Sequence, residues 1–130
     1  MSNRIQNSND KNRYDLGERT AKFGEEVIEF AKVLPNDSIN LSLKSQLVRS
    51  GTSIGANYME ADAAESKKDF KYKIALCKKE AKETMHWLRM IAKANPEKKE
   101  ECRKLWKEAH ELALIFSSIL KKSKRKLNSE

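Results

Sequence analysis

Four apolar stripes, each spaced by threes and fours, constrain this chain more than any other feature. Leu16, Thr20, Phe23, Val27, Phe30 and Leu34 follow one another at four, three, four, three and four residues. That is the period of one face of an α-helix, about 3.6 residues per turn. A second stripe reads Leu43, Leu47, Ser50, Ile54, Asn57 or Tyr58, and Ala61. A third reads Phe70, Ile74, Cys77, Ala81, Thr84 or Met85, Leu88 and Ile91. The fourth reads Cys102, Leu105, Ala109, Leu112, Phe116 and Ile119. Few runs alternate with the period of two that a half-buried strand needs.

Three breaks separate the stripes. Pro35-Asn36-Asp37 stops the first helix, which Asp15 is placed to cap. The second is expected from about Ser42 to Ala63. Ser66-Lys67-Lys68-Asp69 has a capping residue followed three later by an acid, so the third helix starts there. Asn95-Pro96 reads as a stop and restart, with Asn95 able to cap and Pro96 suited to the first helical position. The fold class is therefore all-α. Short connections make an antiparallel up-down-up-down four-helix bundle the natural packing.

At 130 residues the chain is long enough for one domain with a real core, and 35% of it is charged. Residues 1–14 read as a disordered polar lead-in, 15–122 as the four-helix bundle and 123–130 as a basic C-terminal tail. No apolar run approaches the roughly 20 residues of a membrane span, so no membrane partner is expected. The first residues lack the apolar stretch of a secretory signal. Two cysteines are too few for a disulfide framework, which points to a reducing cytoplasm.

The second stripe turns from greasy to small along SGTSIGANYMEADAA, Ser50 to Ala64. Gly inside a helix costs about 1 kcal/mol relative to Ala, so two glycines one turn apart need a reason. Gly51 and Gly55, flanked by Ser50, Ser53 and Ala56, let another helix approach closely. That helix belongs either to the same bundle or to a second subunit. Asn57 and Glu60 must then be hydrated, paired or bonded to another helix. The run Lys78 to Met90 supplies partners: Lys79, Glu83 and His86 or Trp87 near one face, and Glu80, Thr84 and Trp87 near another. The alternative is ordinary solvated salt bridges, each worth under about 1 kcal/mol. Trp87 is expected to fill the space that Gly51, Gly55 and Ala56 leave open. Trp106 is expected at a bundle edge or a subunit contact.

The net charge is +8, and half of it lies in the last ten residues. There Lys121, Lys122, Lys124, Arg125 and Lys126 face only Glu130. A second concentration runs along the third helix, with Lys67, Lys68, Lys71, Lys78 and Lys82 as phosphate-binding candidates and Lys73 and Lys79 beside them. Such a field attracts RNA or DNA with an affinity that falls steeply with salt. Lys outnumbers Arg, which favours backbone attraction over base reading. No zinc finger or RNP-type aromatic pair is present. The rival reading is a protein–protein scaffold whose lysines serve solubility.

No reaction is expected. His86, His110, Cys77 and Cys102 show no paired metal-ligand spacing, so no metal or cofactor is implied. Both cysteines fall on core stripes. Ser53 has no nearby base, and Gly51 and Gly55 follow no strand, so neither a nucleophile elbow nor a phosphate loop exists.

The segment Gln46 to Ile91 also carries SIGAN-Y-x-EA, SKKDF and KE-A-K-ET-x-x-WL in that order, over about a third of the chain. It resembles the bacterial four-helix-bundle proteins encoded in intervening sequences of 23S ribosomal RNA genes. The matching positions are Ser53, Ile54, Ala56, Asn57, Glu60, Ala61, Asp69, Phe70, Lys79, Glu80, Glu83, Thr84, Trp87 and Leu88. The resemblance implies mostly structural roles for them, within a bundle that assembles as a ring-shaped homopentamer. It also implies relatives that assist the reverse transcriptases of diversity-generating retroelements and bind nucleic acid, so a nucleic-acid-processing protein is a candidate partner. It implies no established activity for the intervening-sequence branch.

Overall fold

A computed structural model describes residues 16–129, with side chains through Ser123. The expected lead-in at 1–14 and the Asp15 cap lie outside the described residues. Four helices carry the chain: α1 (Leu16–Lys32), α2 (Ser38–Asp62), α3 (Lys67–Ala94) and α4 (Lys99–Ser129). A 3-10 turn, Pro96–Lys98, joins the last two. Among the described residues there is no strand.

Each stripe becomes a buried face. Leu16, Thr20, Phe23, Val27 and Phe30 are buried on α1, and Leu34 stays buried just beyond it. Of the alternatives on α3, Thr84 is buried and Met85 only partly so. Phe23, Val27, Leu47, Ile54, Ile74, Leu88, Leu112 and Phe116 share one core. Each fully buried side chain of this size contributes about 1.5–3 kcal/mol.

Two helix ends differ from expectation. α2 begins at Ser38, four residues before Ser42. Asp37 does more than end α1: its carboxylate accepts the Asn40 N–H at 2.9 Å and caps α2. Asn95 does not cap the following turn with its side chain, whose Nδ2 instead donates back to the Ile91 carbonyl of α3 at 3.0 Å. Its amide is buried and pairs with the amide of Asn40. Asn95 Nδ2 donates to Asn40 Oδ1 at 2.7 Å, and Asn40 Nδ2 donates to Asn95 Oδ1 at 3.2 Å. Ser66 caps α3 as its sequence suggests, accepting the Asp69 N–H at 3.0 Å. At the far end, α4 continues as helix through Ser129, so the basic tail extends that helix.

Neighbouring helices run in opposite directions. Along α1 and α2, Thr20 lies by Gly55, Gly24 by Thr52 and Val27 by Gly51. Along α2 and α3, Asn40 meets Asn95, Ser50 meets Thr84 and Glu60 meets Lys73. Contacts between α1 and α4 are sparse beside those of the other neighbouring pairs. Arg19 bridges them, its guanidinium donating to both oxygens of Glu108 at 2.7 and 2.9 Å.

Candidate nucleic-acid interface

The small stripe of α2 divides its work between two neighbours. Gly51 and Gly55 face α1. A Cβ on Gly51 would stand 3.0 Å from both methyls of Val27, and one on Gly55 would stand 3.3 Å from the Thr20 hydroxyl. Thr20, Gly24 and Val27 therefore occupy the space that was expected for Trp87. Ser50 turns to α3 instead, where the buried Thr84 Oγ1 donates to it at 2.9 Å. Ser53 and Asn57 bond within their own helix: Ser53 Oγ donates to the Arg49 carbonyl at 2.6 Å, and Asn57 Nδ2 to the Ser53 carbonyl at 2.9 Å. Asn57 thus makes no link to α3 through these bonds.

The link between α2 and α3 runs through other groups. Arg49 reaches Glu80 at 3.3 Å and makes a close ion pair with Glu83. Trp87 Nε1 donates to the same Glu83 carboxylate at 3.0 Å. That bond from Trp87, helped by Arg49, holds the Glu83 carboxyl below its ordinary range. Lys79 is exposed nearby and its charge acts in the same sense. Glu60 pairs with Lys73 at 2.6 Å. Sequence reasoning missed Arg49. The available signal was a lone arginine on α2 opposite two α3 acids three residues apart.

These pairings sort the charge on α3. The helix carries nine basic and three acidic residues. Glu80 and Glu83 turn toward α2. Lys67, Lys71, Lys78, Lys82, Arg89 and Lys93 follow at spacings of four, seven, four, seven and four. At 100° per residue they fall within an arc of about 80° on the other side. Lys68 flanks that arc and is exposed.

The fourth helix is sorted in part, since Glu100 stays beside Arg103 on the basic side. Glu108 and Glu111 turn toward Arg19 of α1. Lys99, Arg103 and Lys107 instead share a groove of about 390 Å³ with Arg89 of α3. Buried Leu88 and Cys102 floor this groove, and Trp106 forms one wall. The ring of His110 stacks on Trp106, with centroids 5.1 Å apart and planes inclined by 27°. No residue lining the groove is acidic. Lys121 and Lys122 are exposed further along α4. The next residue, Ser123, lines a pocket with Lys67 and Phe70, together with Asp62 and Glu65. The side chains of Lys124, Arg125 and Lys126 lie outside the described residues.

Burial makes the two thiols inert. It pushes Cys77 up to about 12 and Cys102 up to about 11, so both stay protonated near neutral pH. Among the described residues no three His, Cys, Asp or Glu side chains gather as a metal site would require. No described helix is long and apolar enough to cross a membrane.

Four antiparallel-paired helices, a glycine contact between the first two and basic groups gathered on the last two define a small all-α protein with one strongly cationic side. The chain belongs to the 23S rRNA-intervening sequence protein family, whose profile matches residues 13–118. It is similar to a crystal structure of a protein of unknown function from the S23 ribosomal protein family of Bacteroides thetaiotaomicron. The two share 31% identity and a TM-score of 0.75, over 81% of this chain and 97% of that one. No curated protein matches this chain.

Proposed function

We propose that this protein is a non-enzymatic, cytoplasmic four-helix bundle that works as a homo-oligomeric ring, a pentamer, and binds RNA or DNA through phosphate contacts. The observation that carries this reading is the sorting of charge. Glu80 and Glu83 of α3 turn toward α2, and Glu108 and Glu111 of α4 turn toward α1, which leaves the outer side of the α3–α4 pair predominantly cationic, with Glu100 beside Arg103 as an acid on it. A solubility device has no need of such sorting, because interspersed charges serve that purpose as well. Lysines on one side of a rigid helix hold phosphates by Coulomb attraction and counterion release, with little regard to sequence. The family and its solved neighbour both bear names that refer to ribosomal RNA or the ribosome, which makes RNA the first polyanion to test.

The ring rests on the family resemblance and on an apolar groove between α1 and α2. Ile28, 41% exposed, and Met59, 71% exposed, line this groove of about 260 Å³ together with Ala21 and Ala56. The same groove favours a second reading, in which the protein is a scaffold for another protein and makes no direct contact with nucleic acid.

Salt separates the two readings. Fluorescence anisotropy with a structured RNA and a duplex DNA of equal length, across a salt series, should show binding that weakens as salt rises. Its log–log slope should report several phosphates. Light scattering in the same buffers should give five times the chain mass of 15.0 kDa. An intact oligomer that binds neither nucleic acid at low salt supports the scaffold.

A further inference from the structure

We propose that the α3–α4 groove is a binding site for an unpaired nucleotide, with Trp106 as the stacking platform and Arg89, Arg103 and Lys107 as the phosphate clamp. This rests on the nucleic-acid reading above and assigns it a strand type and a place. Lysines spread along α3 hold any polyanion, single- or double-stranded. The groove offers something more. Its floor is apolar, from Leu88, Ala92 and Cys102, and its rim is cationic on both walls, from Arg89 on α3 and from Lys99, Arg103 and Lys107 on α4. A planar, apolar base face joined to a phosphate matches that pattern. A free anion would leave the floor unused, and an uncharged apolar ligand would make no use of the cationic rim.

Trp106 supplies the stacking surface. It lines the groove and remains 36% exposed, although it is among the largest apolar side chains of the protein. His110, one helical turn on, already stacks against it, so the ring is held in place before any ligand arrives. Arg103 is committed only to an exposed ion pair with Glu100 at 3.6 Å, which is weak and readily exchanged for a phosphate. Bases in a duplex are stacked on one another and cannot enter such a groove, whereas an unpaired base presents its π-face freely. Every base has that face, so the site recognises single-strandedness and not sequence.

Anisotropy titrations with oligouridylate, oligothymidylate and a duplex of equal length test the site. Trp106→Leu should weaken binding to both single strands about tenfold and leave duplex binding and the salt slope unchanged. Trp106→Phe should retain most of the affinity. Single strands should also quench the Trp106 emission in a Trp87→Phe background, and the duplex should not. Arg103→Gln should lower the single-strand slope by about 0.7. If Trp106→Leu weakens single strands and duplex alike, or neither, while the wild type still binds with a steep salt slope, the groove proposal fails and the phosphate reading stands. If polyglutamate binds as tightly as oligouridylate and is equally sensitive to Trp106→Leu, base stacking is overturned in favour of an acidic peptide. If the wild type binds no nucleic acid at low salt, both readings fall.

Discussion

The α1–α2 seam and the α3–α4 face are built on opposite terms. Across the seam, backbones approach closely: a Cβ on Gly51 would crowd the Val27 methyls and one on Gly55 the Thr20 hydroxyl, while Gly24 lies at ordinary contact distance from Gly51 and Thr52. Ion pairing contributes little there. Across the α3–α4 face, buried Leu88 and Cys102 leave a shallow groove, and long cationic side chains rim it. One region is limited by volume and the other by charge. A substitution at the seam should therefore change stability, and one on the basic face should change binding.

The largest effect expected at the seam comes from Gly51→Leu. Val27 is fully buried and stiff at its branched carbon, so it cannot yield to the added side chain. We expect a loss of about 3 kcal/mol in urea unfolding. Gly24→Ala should act in the opposite direction, because its Cβ would meet only ordinary contacts at 3.6 Å. There the helix-propensity gain of up to about 1 kcal/mol should survive. A Gly51→Leu variant as stable as wild type would show that the seam is looser than its geometry.

Next in size is the polar clasp at the end of the α2–α3 pair. Asn95→Leu removes both amide bonds to Asn40 and leaves a buried amide short of partners. We expect a cost of about 2 kcal/mol by the same urea measurement. Asn95→Asp should also destabilise, since it sets a carboxylate facing the Asn40 carbonyl oxygen.

The smallest effect concerns pH. The folded-state Glu83 carboxyl titrates below its unfolded value, first because Trp87 donates to it and then because of Arg49. Its contribution to stability is present above the ordinary glutamate range and is lost as pH falls through the lowered value. Thermal unfolding followed on acidification should show that loss in the wild type and a blunted loss in Glu83→Gln. Equal pH dependence in the two proteins would mean that the Arg49–Glu83–Trp87 cluster is too well solvated to matter.

Much of this fold is legible in the sequence because each stripe reports a helix and its buried face without reference to any neighbour. The limits appear where a neighbour decides. Helical period places Gly51 and Gly55 on one side of α2, but it does not say which helix they meet. The bulk of Trp87 made it the natural filler, yet the filler is α1, whose own Gly24 makes the approach reciprocal. Arg49 looks like any solvated arginine until the register of α2 against α3 sets it beside Glu80 and Glu83. The Asn40–Asn95 pair spans 55 residues, and neither asparagine carries a local mark of burial. The basic residues of α3 were visible as a concentration. That they form one side became clear only when α2 was seen to take the acids. Arg89, Arg103 and Lys107 were missed because the groove they share exists only between two helices.

The most direct test of the nucleic-acid reading sets the two regions against each other. The double variant Lys71→Gln, Lys82→Gln removes two charges from the basic side of α3, and Lys22→Gln, Lys32→Gln removes two from α1. Each would be titrated with the same structured RNA across a salt series. We predict that the α3 pair lowers affinity and reduces the log–log salt slope by about 1.5, while the α1 pair changes neither. Equal losses from the two pairs, or no loss from the α3 pair, would contradict a phosphate-binding face on α3 and α4.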